Sequence, residues 1–151
     1  MNYLVGLKLR AGKAGAMNYN KGELGRVMAQ KLWPSIALVK GGSSIDLMGV
    51  DAYEGEEAIQ IKYDETIART RNLYHEIYEK SINHTEQNWR NSPHKCDSYI
   101  FCTKGYAIKL SVQDLAIAEL GLVLTQISAT SIGFLIPISK VRGIGDIRNE
   151  P

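Results

Sequence analysis

The chain has 151 residues, 44% of them hydrophobic and 23% charged, the balance of one globular domain rather than of a disordered chain. Folding at this length buries roughly 68–70% of the unfolded surface, so no staples are needed, and the two cysteines, Cys96 and Cys102, are too few for a disulfide scaffold. The formal net charge is +2, yet residues 1–40 carry seven Lys/Arg and one acid, whereas residues 41–67 carry seven acids and one base. That asymmetry suits a polyanion-binding arm beside a metal-attracting block, or two solvated faces of opposite sign.

No apolar run reaches the 18 or so residues of a membrane span. The opening Met-Asn-Tyr-Leu-Val-Gly-Leu-Lys lacks the order of a signal peptide. The expectation is a soluble, cytoplasmic protein. Residues 11–20 read as a loop, after which Asn20-Lys21-Gly22-Glu23 resembles a capping box opening a helix. Leu24, Val27, Met28 and Leu32 give that helix an apolar face, and Pro34 stops it. Residues 36–40 read as a short strand and residues 44–51 as a second. Tyr53-Glu-Gly-Glu56 reads as a hairpin turn, and residues 57–63 as the third strand.

Residues 64–80 carry a stripe of Ile67, Thr70, Tyr74, Ile77 and Tyr78, which predicts a helix. The polar stretch 81–95 reads as a loop, with Trp89 as its anchor, and residues 98–103 as a strand. Ser111-x-x-Asp114 predicts a capped helix to about Leu120. The apolar segments 122–128 and 132–138 predict a hairpin, and the tail from Lys140 reads as irregular. The order is α-β-β-β-α-β with extra elements. It predicts one α/β domain with a mixed central sheet flanked by helices.

Four side chains stand out. Gln60 and Lys62 alternate on one face of the third strand, with Ile59 and Ile61 on the other. Pairing through the hairpin brings Asp46 towards Gln60, and Glu23 is positioned to complete the group from the first helix. Mg²⁺ takes oxygen ligands, which Asp46, the Gln60 side-chain carbonyl and the Ile61 backbone carbonyl supply. Lys62 would stabilise charge gathering on a phosphate or orient an attacking water. Each residue also has a plain reading: Glu23 as the acid of its capping box, Asp46 as a turn-adjacent polar residue, Gln60 and Lys62 as a solvated strand face.

Taken in order, Glu23, Ser44-Ile45-Asp46 and Glu57-Ala-Ile-Gln60-Ile-Lys62 resemble the PD-(D/E)xK nuclease superfamily. The nearest branches are the archaeal Holliday-junction resolvases and the Mrr-type restriction nucleases, which carry Gln-x-Lys. The resemblance covers about residues 18–104 and leaves 105–151 outside it. It implies a restriction-endonuclease-like α-β-β-β-α-β core, with Asp46 and Gln60 at a metal site, Lys62 as the catalytic lysine and Glu23 as the supporting acid. Ile45 stands in place of the eponymous proline, and Gln60 replaces a carboxylate, removing one negative charge.

The expected activity is Mg²⁺-dependent DNA endonuclease, with Mn²⁺ able to substitute and a Holliday junction as the favoured substrate. Lys8, Arg10, Lys13 and Lys21, with Arg69 and Arg71, are the expected phosphate contacts. Two symmetric cuts imply a homodimer, with the 122–138 hairpin as its surface. The rivals are a non-catalytic DNA-binding module on the same fold, a restriction or repair nuclease, and an unrelated α/β protein. His94, Cys96 and Cys102 lack a fourth ligand for zinc. His75 and His84 have no nucleophile beside them in the pattern. Arg142-Gly-Ile-Gly145 does not follow a strand and open a helix, as a phosphate loop must.

Overall fold

The computed structural model describes residues 13–47, 49–80, 89–92 and 95–151. Lys8, Arg10, His84 and His94 lie outside them. The chain begins with helix α1 (Lys13–Leu32), so residues 13–20 are helical rather than a loop, and Glu23 sits inside the helix rather than at its cap. Pro34 follows the end of α1, as expected. Strand β1 (Ala37–Leu38) comes next, then a short helix α2 (Ser44–Leu47) where a strand over 44–51 was expected. Gly42, with φ of +79°, turns the chain ahead of α2.

Strand β2 (Ala52–Glu54) and strand β3 (Glu57–Tyr63) form a hairpin whose second arm is as expected, while its first arm is 52–54 rather than 44–51, so Tyr53 and Glu54 are strand rather than turn. Glu54 pairs with Glu57, and Gly55 takes the positive φ of +59° that the tight turn requires. After β3 the chain departs most from expectation. Helix α3 (Thr66–Thr70) lasts five residues, and Arg71 ends it with φ of +61°. Strand β4 (Asn72–Glu79) follows, in place of the second half of a long helix. The Tyr, His and Ile residues of 72–79 favour a pleated surface, and β4 finds a long antiparallel partner in β9 (Ser131–Pro137). A Cβ at Gly133 would collide with the His75 carbonyl, so only glycine fits that crossing.

The remaining elements are β5 (Arg90–Asn91), β6 (Ser98–Thr103), β7 (Tyr106–Ser111), α4 (Val112–Glu119), β8 (Thr125–Ser128) and β10 (Asp146–Asn149). The Ser111 hydroxyl accepts the Asp114 N–H at 3.1 Å, capping α4 as its sequence predicts. The tail is not irregular: β10 pairs with β7. It is latched to α1, because the Trp33 indole donates to the Asp146 carboxylate at 3.1 Å and the Arg148 guanidinium lies 4.9 Å over the Trp33 ring.

Two sheets result. The first is mixed, in the order β1-β2-β3-β6-β7-β10, and the second runs β5-β4-β9-β8. Within the first, β3 and β6 are parallel and the other neighbours antiparallel. A crossover through α3 and β4 joins the parallel pair. Helices touch both faces of the main sheet, but on the second face α3 and α4 share the cover with the second sheet. On one face α1 buries Met28, Ala29 and Leu32, with Trp33 just beyond its end, against Ile59, Ile100, Cys102 and Ala107. On the other, Tyr99, Phe101, Ile108 and Leu110 pack against Leu73 and Ile136 of the second sheet and Leu115 of α4. Strand β6 is therefore buried along its whole length, as befits a strand covered on both faces. Burial also pushes the Cys102 thiol up to about 12. No helix among the described residues is long and apolar enough to cross a membrane.

Candidate functional site

Strand β3 presents two different faces to two layers. Ile59 is fully buried under α1, with Ile61 and Tyr63 packed beside it. Gly25 allows this contact, because a Cβ there would sit 3.2 Å from both Ile61 Cγ2 and Tyr63 Cβ. Gln60 and Lys62 take the opposite face, beside Tyr99 and Phe101, their register partners in β6. They share a face, as alternation predicts, but it looks into the space between the sheets and not onto open solvent.

Lys62 lines a cavity of about 250 Å³ with Tyr63, Asp64, Ile67, Tyr74, Glu76 and Phe101. Burial pushes its ammonium below the usual lysine range, against the attraction of Glu76 first and then Asp51. Glu76 comes from β4 of the second sheet and is fixed there. Ser92 donates to one of its oxygens at 3.1 Å and Ser131 to the other at 2.5 Å. The Tyr74 and Ser131 hydroxyls lie 2.6 Å apart. Asp64 accepts from both the Thr66 N–H at 2.8 Å and its hydroxyl at 2.6 Å, which sets the start of α3. Cys96 lies near Lys62, and its thiol is raised by burial.

Gln60 is 6% exposed, and its side-chain carbonyl oxygen is buried with no hydrogen-bond partner among the described residues. A buried acceptor left in this state costs about 1–3 kcal/mol. A cation or a donor brought to that oxygen would satisfy it, so the residue fits the role of an oxygen ligand. The described residues contain no group of three or more His, Cys, Asp or Glu side chains arranged to hold a metal.

Asp46 belongs to α2, and its side chain is not among those described. The acid that stands level with Gln60 is Asp51. Its N–H donates to the Ile59 carbonyl at 2.8 Å, and its carboxylate accepts the Ile61 N–H at 2.8 Å. Counting back from the hairpin turn reaches Asp51 before Asp46, and that count was available from the sequence.

Arg26 ties Asp51 to α1. Its guanidinium lies 3.6 Å from the Asp51 carboxylate and 3.5 Å from that of Glu23, and it also donates to the Val39 carbonyl. Glu23 thus connects to β3 through Arg26 and Asp51, from a helix on the face of β3 opposite Lys62. Arg69 and Arg71 are both exposed at the end of α3, Lys21 is half-buried on α1, and Lys13 begins α1. The sequence reading missed Arg26, Asp51 and Glu76. Comparison with protein-family models, with curated proteins and with solved structures finds no match.

Proposed function

We propose that the chain is a metal-dependent DNA endonuclease on a restriction-endonuclease-like core, with a Holliday junction as its favoured substrate. The observation that carries this reading is the pairing on β3 of an unsatisfied buried Gln60 carbonyl with a half-buried Lys62. It stands on the strand that joins an antiparallel hairpin to a parallel neighbour. Helix, hairpin and parallel strand then follow the order of the PD-(D/E)xK core, and the crossover is built from β4 as well as a short helix.

Asp46 and the Gln60 and Ile61 carbonyl oxygens are the groups that would hold Mg²⁺ or Mn²⁺; Glu23, on the far side of β3, is a support acting through Arg26 and Asp51 rather than a ligand. That ion would supply Lewis-acid polarisation of a phosphate and a more acidic bound water. Lys62, lining the cavity, would stabilise the charge that builds on the phosphate oxygens as the bond to water forms and the bond to the leaving sugar oxygen breaks. Asp51 acts through its neighbours. By accepting the Ile61 N–H it fixes the backbone between Gln60 and Lys62, and Arg26 locks Asp51 to α1.

A second reading, a DNA-binding module that does not cut, is favoured by Gln60 itself, which brings one negative charge fewer than a carboxylate. Incubation of the wild type with four-way junction, flap, nicked and linear DNA, in Mg²⁺, Mn²⁺ or EDTA, separates the two. Cutting that EDTA abolishes supports the enzyme, and binding without cutting in every metal supports the module.

Two symmetric cuts need two copies of the site. Strand β8 is the outer edge of the second sheet and leaves Val123 81% and Ile127 49% exposed on and beside it, an edge that invites pairing. A homodimer joined across β8 is the assembly this reading carries. Sedimentation at micromolar concentration should give the dimer mass, and a monomer mass would count against it.

A further inference from the structure

Helix α3 ends in a backbone conformation that suits glycine. Arg71 has φ of +61° and ψ of +27°, and its N–H closes the helix on the Ile67 carbonyl at 2.9 Å. Among the described residues it is the one non-glycine with positive φ. A side chain there costs backbone energy that glycine would not, and such strain concentrates where a side chain serves a ligand.

The surroundings of Arg71 are basic. Its carbonyl accepts the Ile138 N–H at 2.9 Å, and the Ile138 carbonyl accepts the Arg142 N–H at 3.1 Å. The turn Ile138–Lys140 lies between them. Arg69 is two residues upstream in α3. Arg69, Arg71, Lys140 and Arg142 are all exposed, and none forms an ion pair with a carboxylate among the described residues. Lys140 makes one contact, to the Leu120 carbonyl at 3.2 Å. Of the acids nearest in sequence, Glu65 stands at the other end of α3, Glu76 accepts from Ser92 and Ser131, and Asp146 is held by Trp33 and Arg148. Ile67, one turn before Arg71, lines the Lys62 cavity.

We infer that Arg69, Arg71, Lys140 and Arg142 form a phosphate-gripping surface that holds the DNA backbone beside the Lys62 cavity. DNA as the partner, and Arg69 and Arg71 as phosphate contacts, rest on the proposed function; Lys140, Arg142 and the single surface the four form go beyond it. Four exposed cations on two chain segments joined by backbone hydrogen bonds, with no ion pair to a carboxylate among the described residues, match a polyanion with regularly spaced charges. Such contacts fix position without reading sequence.

The test is fluorescence anisotropy on a labelled 30-base-pair duplex and a four-way junction, in EDTA, across a salt series. Arg71→Gly should lower the log–log salt slope by about 0.9, one phosphate contact, while its melting temperature holds or rises. The combined variant Arg69→Gln, Arg71→Gly, Lys140→Gln, Arg142→Gln should lower the slope by about 3–4. Lys31→Gln, whose lysine meets Glu150 at 4.0 Å instead, should leave the slope unchanged. A folded four-site variant with the wild-type slope would overturn the inference. So would a variant that loses binding to phosphatidylserine vesicles or to RNA while its DNA affinity stays intact. Because binding is read in EDTA, the two readings separate: wild type that cuts nothing in Mg²⁺ or Mn²⁺, with a four-site variant that loses slope, supports the surface and sinks the catalytic reading. Wild type that cuts in Mg²⁺, with a four-site variant that keeps the wild-type slope, does the reverse.

Discussion

Lys62→Ala should abolish metal-dependent cutting while leaving the fold and DNA affinity close to wild type. One well-placed charge at a developing transition state is worth on the order of 10²–10³ in rate. The structure explains why the fold survives. Lys62 is held between the sheets at a desolvation cost, and its removal relieves that cost. Glu76 keeps its hydrogen bonds from Ser92 and Ser131, so no acid is left bare. Lys62→Met, which fills the same volume, should match or exceed the wild-type melting temperature, because buried charges are often replaced by apolar side chains without loss. Thermal melts and single-turnover cutting of the same preparations check both parts. A Lys62→Ala protein that cuts as fast as wild type would remove Lys62 from the chemistry.

Asp51→Ala should damage stability and cutting together. Its carboxylate is the acceptor for the Ile61 N–H and the buried partner of Arg26, and the two side chains are 17% and 13% exposed. Breaking one side of such a pair costs about 3 kcal/mol, which at this size lowers the melting temperature by on the order of 10 °C. Cutting should fall further than stability alone explains, because the backbone between Gln60 and Lys62 loses its anchor. Asp51→Asn, whose amide oxygen can still accept from Ile61, should retain more of both. Equal cutting rates per folded molecule in Asp51→Ala and wild type would reduce Asp51 to a purely structural acid.

The parts of the fold that were legible in the sequence are those whose signals are local. The hairpin at Gly55, strand β3, strand β6 and the Ser111-capped helix all carry their own turn, alternation or cap, and each formed where it was read. The segment 64–80 misled because Ile67, Thr70, Tyr74 and Ile77 fall at helical spacing by coincidence. What decides it is the pairing of β4 with β9, some sixty residues away, and a left-handed Arg71 that no propensity predicts. Strand β10 was hidden for a similar reason. Its hold on Trp33 and the α1 end spans more than a hundred residues.

At the site, alternation alone put Gln60 and Lys62 on one face. It did not say that the face is interior, because the second sheet that covers it is a tertiary fact. Arg26 and Asp51 went unread because Glu23 and Asp46 fitted a known pattern.

The direct test of a live metal-dependent site is parallel cutting of a four-way junction by wild type and Gln60→Glu, with Mg²⁺, with Mn²⁺ and with EDTA. If the buried Gln60 oxygen serves a metal in a working enzyme, wild type cuts in Mg²⁺ and not in EDTA, and Gln60→Glu binds the metal at least as tightly. If wild type cuts nothing with either metal and Gln60→Glu gains activity, the glutamine marks a retired active site, and the chain binds DNA without hydrolysing it.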